Sequence, residues 1–334
     1  MRRPYPFPLP ARAQPGVSCR WSGPRPLPTF HAAPPVFRRD PRIQTVLITG
    51  ASTGLGWAIA QELLAHTPHR LILTAREASM QRFEELGLKD DARIWLRALD
   101  VTDAAERDRL VGEVEAEFGA VDVLINNAGI SFRSVVEHVA EDELQAQMDV
   151  NFLAPMELTR RVLPAMRKQR YGRIITISSV GGMMAMPTMS VYSASKFALE
   201  GCCEALWYEV RPWGIHVSLV QPGFIRSDGF TKVQLTRQSR YGAEHEEDPY
   251  HEHYAGMGPF IAKTMENASS NPASVARTVR RVLQSRRPAL RVPGTWDARF
   301  FSYLRRIMPR GLYHRFLYSR LPNIKRWGPG GSPS

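Results

Sequence analysis

The chain lacks the features of secreted disulfide-bonded proteins and of membrane-spanning proteins. It has three cysteines, Cys19, Cys202 and Cys203. An odd, low number argues against a disulfide framework and suits a reducing compartment. No apolar run reaches the roughly 18 residues that a membrane-spanning helix needs, and no secretory signal opens the chain. The sequence therefore predicts a cytoplasmic protein.

Acidic residues are scarce at both ends of the chain. The net charge is +12, yet residues 1–42 hold eight arginines and one aspartate, and residues 286–334 hold eleven lysines and arginines and one aspartate. The part between them is therefore mildly acidic, and the basic character belongs to the two terminal segments. Such segments favour contact with an anionic surface. No nucleic-acid-binding module is recognisable, so nucleic acid is not an expected partner.

The first 42 residues have no periodic apolar pattern and contain 11 prolines. This composition predicts a disordered leader. Arginine without acid before Asp40 superficially resembles an organelle transit peptide, but so many prolines exclude the amphipathic helix of such a peptide. An unstructured leader, or a start site assigned too far upstream, is the preferred interpretation. A mitochondrial location is the alternative if the protein is eukaryotic.

A glycine-rich turn joins a predicted strand to a predicted helix. The strand covers residues 45–49, the helix covers residues 57–64, and Gly50-Ala-Ser-Thr-Gly54-Leu-Gly56 lies between them. This is the context of a dinucleotide-binding turn. Gly50 permits the tight turn, while Gly54 and Gly56 let the backbone approach a pyrophosphate and let the helix pack on the strand. The helix N-terminus then offers free N–H groups to the phosphates.

A tyrosine and a lysine lie four residues apart in Tyr192-Ser-Ala-Ser-Lys196. Residues at this spacing share one face of a helix, so we expect the ammonium beside the phenol. A nearby cation lowers the pKa of a phenol below its usual value of about 10, which makes it a general acid and base at neutral pH. Ser179 ends the apolar strand candidate 173–179 and can bond a substrate oxygen from the opposite side. A helix that merely carries Tyr and Lys is the alternative, because the spacing alone is common.

These motifs together resemble those of the short-chain dehydrogenase/reductase family over about residues 43–285. The resemblance implies an α/β fold, a single doubly wound Rossmann-like domain with a central parallel sheet flanked by helices. It implies that Asn151 joins Ser179, Tyr192 and Lys196 as a catalytic residue. In that scheme Lys196 also binds the ribose hydroxyls, and Asn151 holds a water that connects Lys196 to solvent.

The same resemblance implies which residues bind a nicotinamide dinucleotide. Asp100 holds the adenine, the segment Asn126–Gly129 follows the central strand, and Pro222–Gly223 lies beside the nicotinamide. The family usually has threonine where this chain has Ser227, which keeps the hydroxyl for the carboxamide. The cofactor-binding residues are Gly50, Ser52, Thr53, Gly54, Leu55, Gly56, Arg76, Asp100, Val101, Asn127, Ala128, Gly129, Tyr192, Lys196, Pro222, Gly223, Ile225 and Ser227.

The choice between NADP(H) and NAD(H) depends on the end of the second predicted strand, residues 71–75. An acid there would bond the ribose 2′-hydroxyl of NAD(H), but this chain has Ala75-Arg76. Arg76 can pair with a 2′-phosphate. The sequence therefore predicts NADP(H), with NAD(H) as the alternative if Arg76 is only a solvated residue.

Strand and helix patterns alternate along residues 43–285, which predicts a parallel sheet. The predicted strands lie near residues 44–49, 70–75, 93–99, 121–126, 172–178, 214–221 and 289–293.

A segment of about residues 224–270 is expected to form a lid over the substrate, as in the family. It is rich in Phe, Tyr and Met, and the Met-rich segment 181–187 should face it. Methionine adapts to irregular apolar shapes, and residues 180–201 resemble the hydroxysteroid and retinol dehydrogenase branch. We therefore expect an apolar carbonyl or alcohol substrate, such as a steroid, retinoid or other lipid. The alternatives are that the methionines are only core residues, that the substrate is a polar sugar or ketoacyl thioester, and that the protein is a non-catalytic nucleotide-sensing scaffold.

The lid also carries His245, His251 and His253 among acidic residues. Such a cluster can bind a metal, but a solvated loop is preferred and no metal is expected.

The last segment, residues 286–334, carries two basic amphipathic patterns, 296–308 and 312–321. Aromatic residues recur at helical spacing and arginine occupies the other face, a pattern typical of helices that lie in a membrane interface. Helices that pack over the domain and close the substrate pocket are an equal alternative. The resemblance also implies a homodimer.

Overall fold

The computed structural model describes residues 43–226 and 234–328. The leader predicted for residues 1–42 lies outside the described residues, as do Ser227 and Phe230.

A seven-stranded parallel sheet forms the centre of the domain, in the order β3-β2-β1-β4-β6-β7-β9. This confirms the predicted doubly wound α/β fold, and each long strand lies within two residues of its predicted bounds. The strand order reverses between β1 and β4, the switch point at which such sheets bind ligands. The strands are β1 Thr45–Ile48, β2 Arg70–Ala75, β3 Ile94–Ala98, β4 Val123–Asn126, β6 Gly172–Ile177, β7 Ile215–Gln221 and β9 Arg291–Pro293.

Helices cover both faces of the sheet, and they bury its strands from both sides. Ile59 of α1 and Val279 of α9 belong to the core on one face. Leu110 of α3, Leu158 of α5 and Leu199 of α6 belong to the core on the other. The helices are α1 Gly54–His66, α2 Gln81–Glu85, α3 Ala104–Phe118, α4 Glu141–Met148, α5 Ala154–Gln169, α6 Ser190–Val210, α7 Arg237–Glu244, α8 His251–Glu266, α9 Pro272–Gln284, α10 Trp296–Ile307 and α11 Arg310–Tyr318.

The lid segment is tied to the domain by a small sheet and by a buried tyrosine. The two-residue strands β5 Phe132–Arg133 and β8 Gln234–Leu235 pair in parallel; they are too short to produce a sequence pattern and were not predicted. Tyr254 of α8 accepts a hydrogen bond from Val135 N at 3.2 Å and is bonded to His138 Nδ1 at 3.0 Å. The lid is therefore held against the segment that follows β4.

The last described segment joins the domain through β9 and then forms the two predicted helices. Both are confirmed, since α10 and α11 fall within one to three residues of the predicted bounds 296–308 and 312–321. Arg291 of β9 pairs with Glu200 of α6 at 2.8 Å, which fixes the start of this segment to the helix that carries Tyr192. None of the helices among the described residues is long and apolar enough to cross a membrane.

Candidate active site

A cavity of about 540 Å³ opens at the carboxyl ends of the parallel strands. With two exceptions, every predicted catalytic and cofactor-binding residue lines it. Asn151 is fully buried behind the wall, and Ser227 lies outside the described residues. The tertiary structure thus brings together side chains from the ends of β1, β2, β4, β6 and β7 and from α6.

The glycine-rich turn between β1 and α1 forms one end of this cavity. Gly50 has a positive φ of 63°, a conformation that side chains disfavour. A Cβ added at Gly56 would overlap the carbonyl oxygen of Gly50 and approach Asn127 Nδ2 to 2.5 Å. The first turn of α1 therefore lies directly against the loop, and its residues Gly54, Leu55 and Gly56 line the cavity. A helix N-terminus at this place is what a phosphate site requires.

Thr49 and Asn127 lock this turn to the end of β4. Thr49 Oγ1 accepts hydrogen bonds from the backbone N–H groups of Asn127 and Ala128, both at 3.0 Å. Asn127 Nδ2 in turn donates to the carbonyls of Thr49 and Gly50 at 2.9 and 3.1 Å. The neighbouring strands β1 and β4 thereby hold the cofactor loop in one conformation, which the separate motifs did not reveal.

Ser179 and Tyr192 both line the cavity, and both lie next to Gly181. Ser179 Oγ also accepts from Gly181 N at 3.0 Å. Gly181 lies so close to Tyr192 that an added Cβ would come within 2.9 Å of Cε1 of the ring. The segment after β6 therefore packs against both Ser179 and Tyr192.

Lys196 lies on the same helical face as Tyr192, but it does not act on the phenol as expected. Its Nζ lies 5.9 Å from the centroid of the Tyr192 ring and donates to Ile177 O at 3.0 Å. Burial raises the pKa of Tyr192, and the hydrogen bond from Ser179 opposes this only in part. Burial also lowers the pKa of Lys196 to about 8, against the opposing charge of Glu200. The expectation of a lowered Tyr192 pKa was wrong, because burial disfavours both charged forms.

Asn151 lies behind the cavity wall, where its side chain and the Lys196 ammonium both lie next to Gly129, and its catalytic role stays a prediction. It lies in the π-helical turn Asp149–Leu153 between α4 and α5, a distortion frequent at functional sites. Its side chain accepts from Ile130 N and donates to Ile130 O, both at 2.9 Å, and donates to Ser195 Oγ at 3.1 Å. Asn151 therefore ties the segment after β4 to the catalytic helix.

Basic side chains line the end of the cavity where the resemblance places the adenosine. Exposed Arg76, at the end of β2, lines it together with Arg82, which the sequence reasoning missed. Burial raises the pKa of Asp100, but hydrogen bonds from Thr102 and the charge of Arg76 outweigh that effect and hold it below its usual range. Asp100 is therefore a charged acceptor, and Arg76 supplies a positive charge next to it.

The turn at Pro222–Gly223 is held by residues from the far end of the chain. Thr295 Oγ1 accepts from Gly223 N at 2.8 Å, and Asp297 Oδ2 accepts from Phe224 N at 2.7 Å. A Cβ added at Gly223 would overlap the Asp297 carboxylate. The first turn of α10 thus positions the loop expected beside the nicotinamide. This contact could not be predicted from the sequence, because Thr295 and Asp297 resemble an ordinary helix cap.

The wall opposite the glycine-rich turn is mostly apolar. The lid contributes Ile261 and Met265 of α8, and the segment after β6 contributes Met184, Met186 and Met189. Of the predicted methionines, Met184 and Met186 line the cavity. Arg133 of β5 is the charged side chain on this wall, and the sequence reasoning missed it, because one arginine after a strand resembles any surface arginine.

The described residues contain no group of three or more His, Cys, Asp or Glu side chains placed to hold a metal ion.

Comparison with known proteins gives consistent matches. The sequence model described as short chain dehydrogenase matches residues 44–238, more than half of the chain. A 3-ketodihydrosphingosine reductase of Bacteroides thetaiotaomicron is 43% identical over 188 residues, which make up 56% of this chain and 66% of that protein, just under two thirds. The 17-beta-hydroxysteroid dehydrogenase type 1 of Homo sapiens is 31% identical over 266 residues, 74% of this chain and 76% of that protein.

Among solved structures, a short-chain dehydrogenase from Streptomyces avermitilis matches with a TM-score of 0.68 at 31% identity. The match covers 84% of this chain and 97% of that one.

Proposed function

The chain belongs to the short-chain dehydrogenase/reductase family, and we propose that it is an NADP(H)-dependent reductase of ketones on long apolar molecules. The family makes it an oxidoreductase that acts on CH–OH groups with a nicotinamide dinucleotide. One observation carries the rest of the proposal. A single cavity joins Ser179, Tyr192, Lys196 and the glycine-rich turn to an apolar wall.

In the proposed reaction a substrate carbonyl oxygen lies between Ser179 and Tyr192 and accepts hydrogen bonds from both hydroxyls. These bonds polarise the carbonyl and stabilise the developing alkoxide. The bound nicotinamide supplies the hydride. Tyr192 then gives its proton to the oxygen and becomes a phenolate on the same helical face as Lys196. Because burial raises its pKa, Tyr192 is protonated at neutral pH, which is the form that reduction requires.

The residues present fit a dinucleotide with a 2′-phosphate. Gly56 lies so close to Gly50 that a side chain at position 56 would not fit. The turn therefore consists of bare backbone there, which leaves room for a pyrophosphate. Within residues 43–226 and 234–328, the Arg76 guanidinium makes no side-chain hydrogen bond or ion pair shorter than 4 Å. Arg76 and Arg82 are thus available to a phosphate group.

The shape of the apolar wall supports an elongated substrate. Met186 borders both the catalytic cavity and a second cavity of about 770 Å³, which is lined by Val135, Tyr250, Tyr318 and Trp327 among others. A long chain with its carbonyl at Tyr192 can extend past Met186 toward this outer cavity. The relatives named for a ketosphingosine and a hydroxysteroid also favour a lipid substrate.

Turnover measurements with both cofactors test this proposal. We expect oxidation of NADPH, followed at 340 nm, with long-chain ketones but not with sugars, and a KM for NADPH well below that for NADH.

Arg76→Ala should raise the KM for NADPH by about 10- to 100-fold, the effect of losing bonds to a charged group, and leave the KM for NADH nearly unchanged. An equal KM for the two cofactors in the wild-type protein contradicts the NADP(H) assignment. Turnover of sugars alone contradicts the lipid assignment, and cofactor binding without turnover favours a scaffold.

We also propose that α10 and α11 bind an anionic membrane surface. Trp296 and Tyr303 are 70% and 64% exposed, and Ile307, Leu312 and Tyr318 are exposed with them. Exposed arginines accompany these apolar side chains, as in helices that lie in the membrane interface; they are Arg299, Arg305, Arg306, Arg315 and Arg320. The opposite side of α10 buries Ala298 in the domain. The helix can therefore pack over the domain and bind a membrane surface at the same time. The homodimer and the cytoplasmic location stay predictions.

Liposome sedimentation tests this surface. The wild-type protein should pellet with vesicles that contain phosphatidylserine and much less with pure phosphatidylcholine, and added salt should weaken binding. Replacing Trp296 and Tyr303 by serine should reduce pelleting, because both lose their apolar area. Equal pelleting with the two kinds of vesicle, or no effect of the double substitution, contradicts the proposal.

A further inference from the structure

Arg133 is a buried cation in the wall of the catalytic cavity. Its side chain belongs to β5, only 9% of the residue is exposed, and it lines the cavity with Gln234 and Met265 of the lid. Burying a guanidinium is costly unless it is paired and hydrogen-bonded. The hydrogen-bond and ion-pair partners of Arg133 therefore indicate its role.

Within the described ranges 43–226 and 234–328, the Arg133 guanidinium has one hydrogen-bond partner, a weak contact from Nη2 to Met265 Sδ at 3.8 Å. Other buried arginines are held by oxygen atoms. Arg173 donates to the carbonyls of Val282 and Ser285, the latter at 2.7 Å, and Arg107 donates to Val101 O at 2.6 Å. Arg133 thus differs from the structural arginines of the same protein.

Among residues 43–226 and 234–328, no carboxylate on this side of the cavity compensates the charge. Among the described residues that line the cavity, Asp100 is the single acid, and it belongs to the adenosine end with Arg76. Burial lowers the pKa of Arg133, but an arginine side chain keeps its proton in proteins. The substrate side of the cavity is therefore apolar and carries one uncompensated positive charge.

We propose that Arg133 binds an anionic group of the substrate, a carboxylate or a phosphate monoester, while the carbonyl lies at Tyr192 and the apolar part lies against the methionine wall. This inference rests on the proposed function and narrows its substrate class from apolar ketones to acidic amphiphilic ketones. The cofactor phosphates do not supply this anion, because they belong at the glycine-rich turn and at Arg76. A planar guanidinium suits either group, since both accept paired hydrogen bonds.

Pairs of substrates that differ in charge but share the same apolar chain separate the effect of the charge on KM from the effect of apolar binding. The first pair is a long-chain keto acid and its methyl ester, and the second is a long-chain keto phosphate monoester and the corresponding keto alcohol. The wild-type enzyme should show a KM about 10- to 100-fold lower for the charged member of at least one pair, as expected for hydrogen bonds between charged groups. The pair with the larger ratio identifies carboxylate or phosphate as the natural group.

The variant Arg133→Met should abolish this ratio by raising the KM for the charged member while leaving the kinetics of the neutral member nearly unchanged. Arg133→Lys should restore part of the preference. Lys89→Met removes one exposed positive charge that does not line the cavity, and it should keep the wild-type ratio. Equal KM values for charged and neutral members in the wild-type enzyme overturn the proposal. So does an Arg133→Met variant that loses activity equally on both, which indicates a structural role.

A binding measurement keeps this test independent of catalysis. Calorimetric titration with dodecanoate, dodecyl phosphate and dodecanol should show tighter binding of an anion to the wild type than to Arg133→Met, and equal binding of the alcohol. If no ketone is turned over but the anions bind in this pattern, the proposed reaction is contradicted and the anion site at Arg133 is supported. If ketones are turned over but anions bind both proteins equally, the anion site fails and the reaction stands.

Discussion

Replacing Tyr192 with phenylalanine is expected to lower kcat for ketone reduction by about 100- to 10,000-fold, the usual contribution of a positioned general acid. The substitution removes the hydroxyl that meets Ser179 and leaves the ring beside Gly181. Cofactor contacts expected at the glycine-rich turn and at Arg76 are untouched. The Kd for NADPH, measured by fluorescence titration, should therefore change by no more than a few-fold.

Tyr208→Phe is the matched control for this substitution. Tyr208 lies on the same helix, α6, but it is 63% exposed and does not line the cavity. The control should keep wild-type kcat and NADPH affinity. A Tyr192→Phe enzyme with wild-type turnover contradicts the assignment of Tyr192 as the proton donor.

Replacing Gly56 with alanine is the second substitution expected to have a large effect. The new Cβ would overlap the carbonyl oxygen of Gly50, and backbone cannot yield as a flexible side chain can. Accommodating it requires α1 to move away from the turn, which should lower the free energy of unfolding by about 1–3 kcal/mol. It should also weaken NADPH binding by at least about 10-fold, because the N–H groups of the first helical turn move away from the phosphates. Chemical denaturation and NADPH titration measure the two effects.

Gly112→Ala provides a control of opposite sign. Gly112 lies within α3, is exposed, and a Cβ added there meets nothing within 4 Å. Alanine favours a helix interior over glycine by about 1 kcal/mol, so this variant should be slightly more stable and bind NADPH normally. If Gly56→Ala matches the wild type in both stability and NADPH affinity, the close approach of α1 to the turn has no energetic importance.

Most of the sheet was predictable because local patterns encode it. The apolar run of β6 and the β-branched run of β1 each end where the structure ends the strand, give or take two residues. The pairing of β5 with β8 was not predictable, since strands of two residues have no periodicity and their partners are about 100 residues apart.

The candidate site was predicted in its residues but not in its electrostatics. The i, i+4 spacing put Tyr192 and Lys196 on one face, as the structure has them. Spacing does not report burial, however. Burial raises the pKa of Tyr192, opposite to the expected direction, and lowers the pKa of Lys196. The sequence likewise gave no reason to separate Arg133 from surface arginines, because burial and the identity of the partners depend on the whole fold.

The sequence by itself determined the fold class, the glycine-rich turn, the Ser179–Tyr192–Lys196 group and the two C-terminal helices. Each of these depends on residues close together in the chain, and local spacing is sufficient to specify them. Only the tertiary structure decided the contacts of Thr295 and Asp297 with the Gly223–Phe224 turn, 72 or 73 residues away in the chain. It also decided that, among the described residues that line the cavity, no acid accompanies Arg133 on its wall. Burial and charge pairing sum contributions from distant segments, and these contributions become fixed only when the chain has folded.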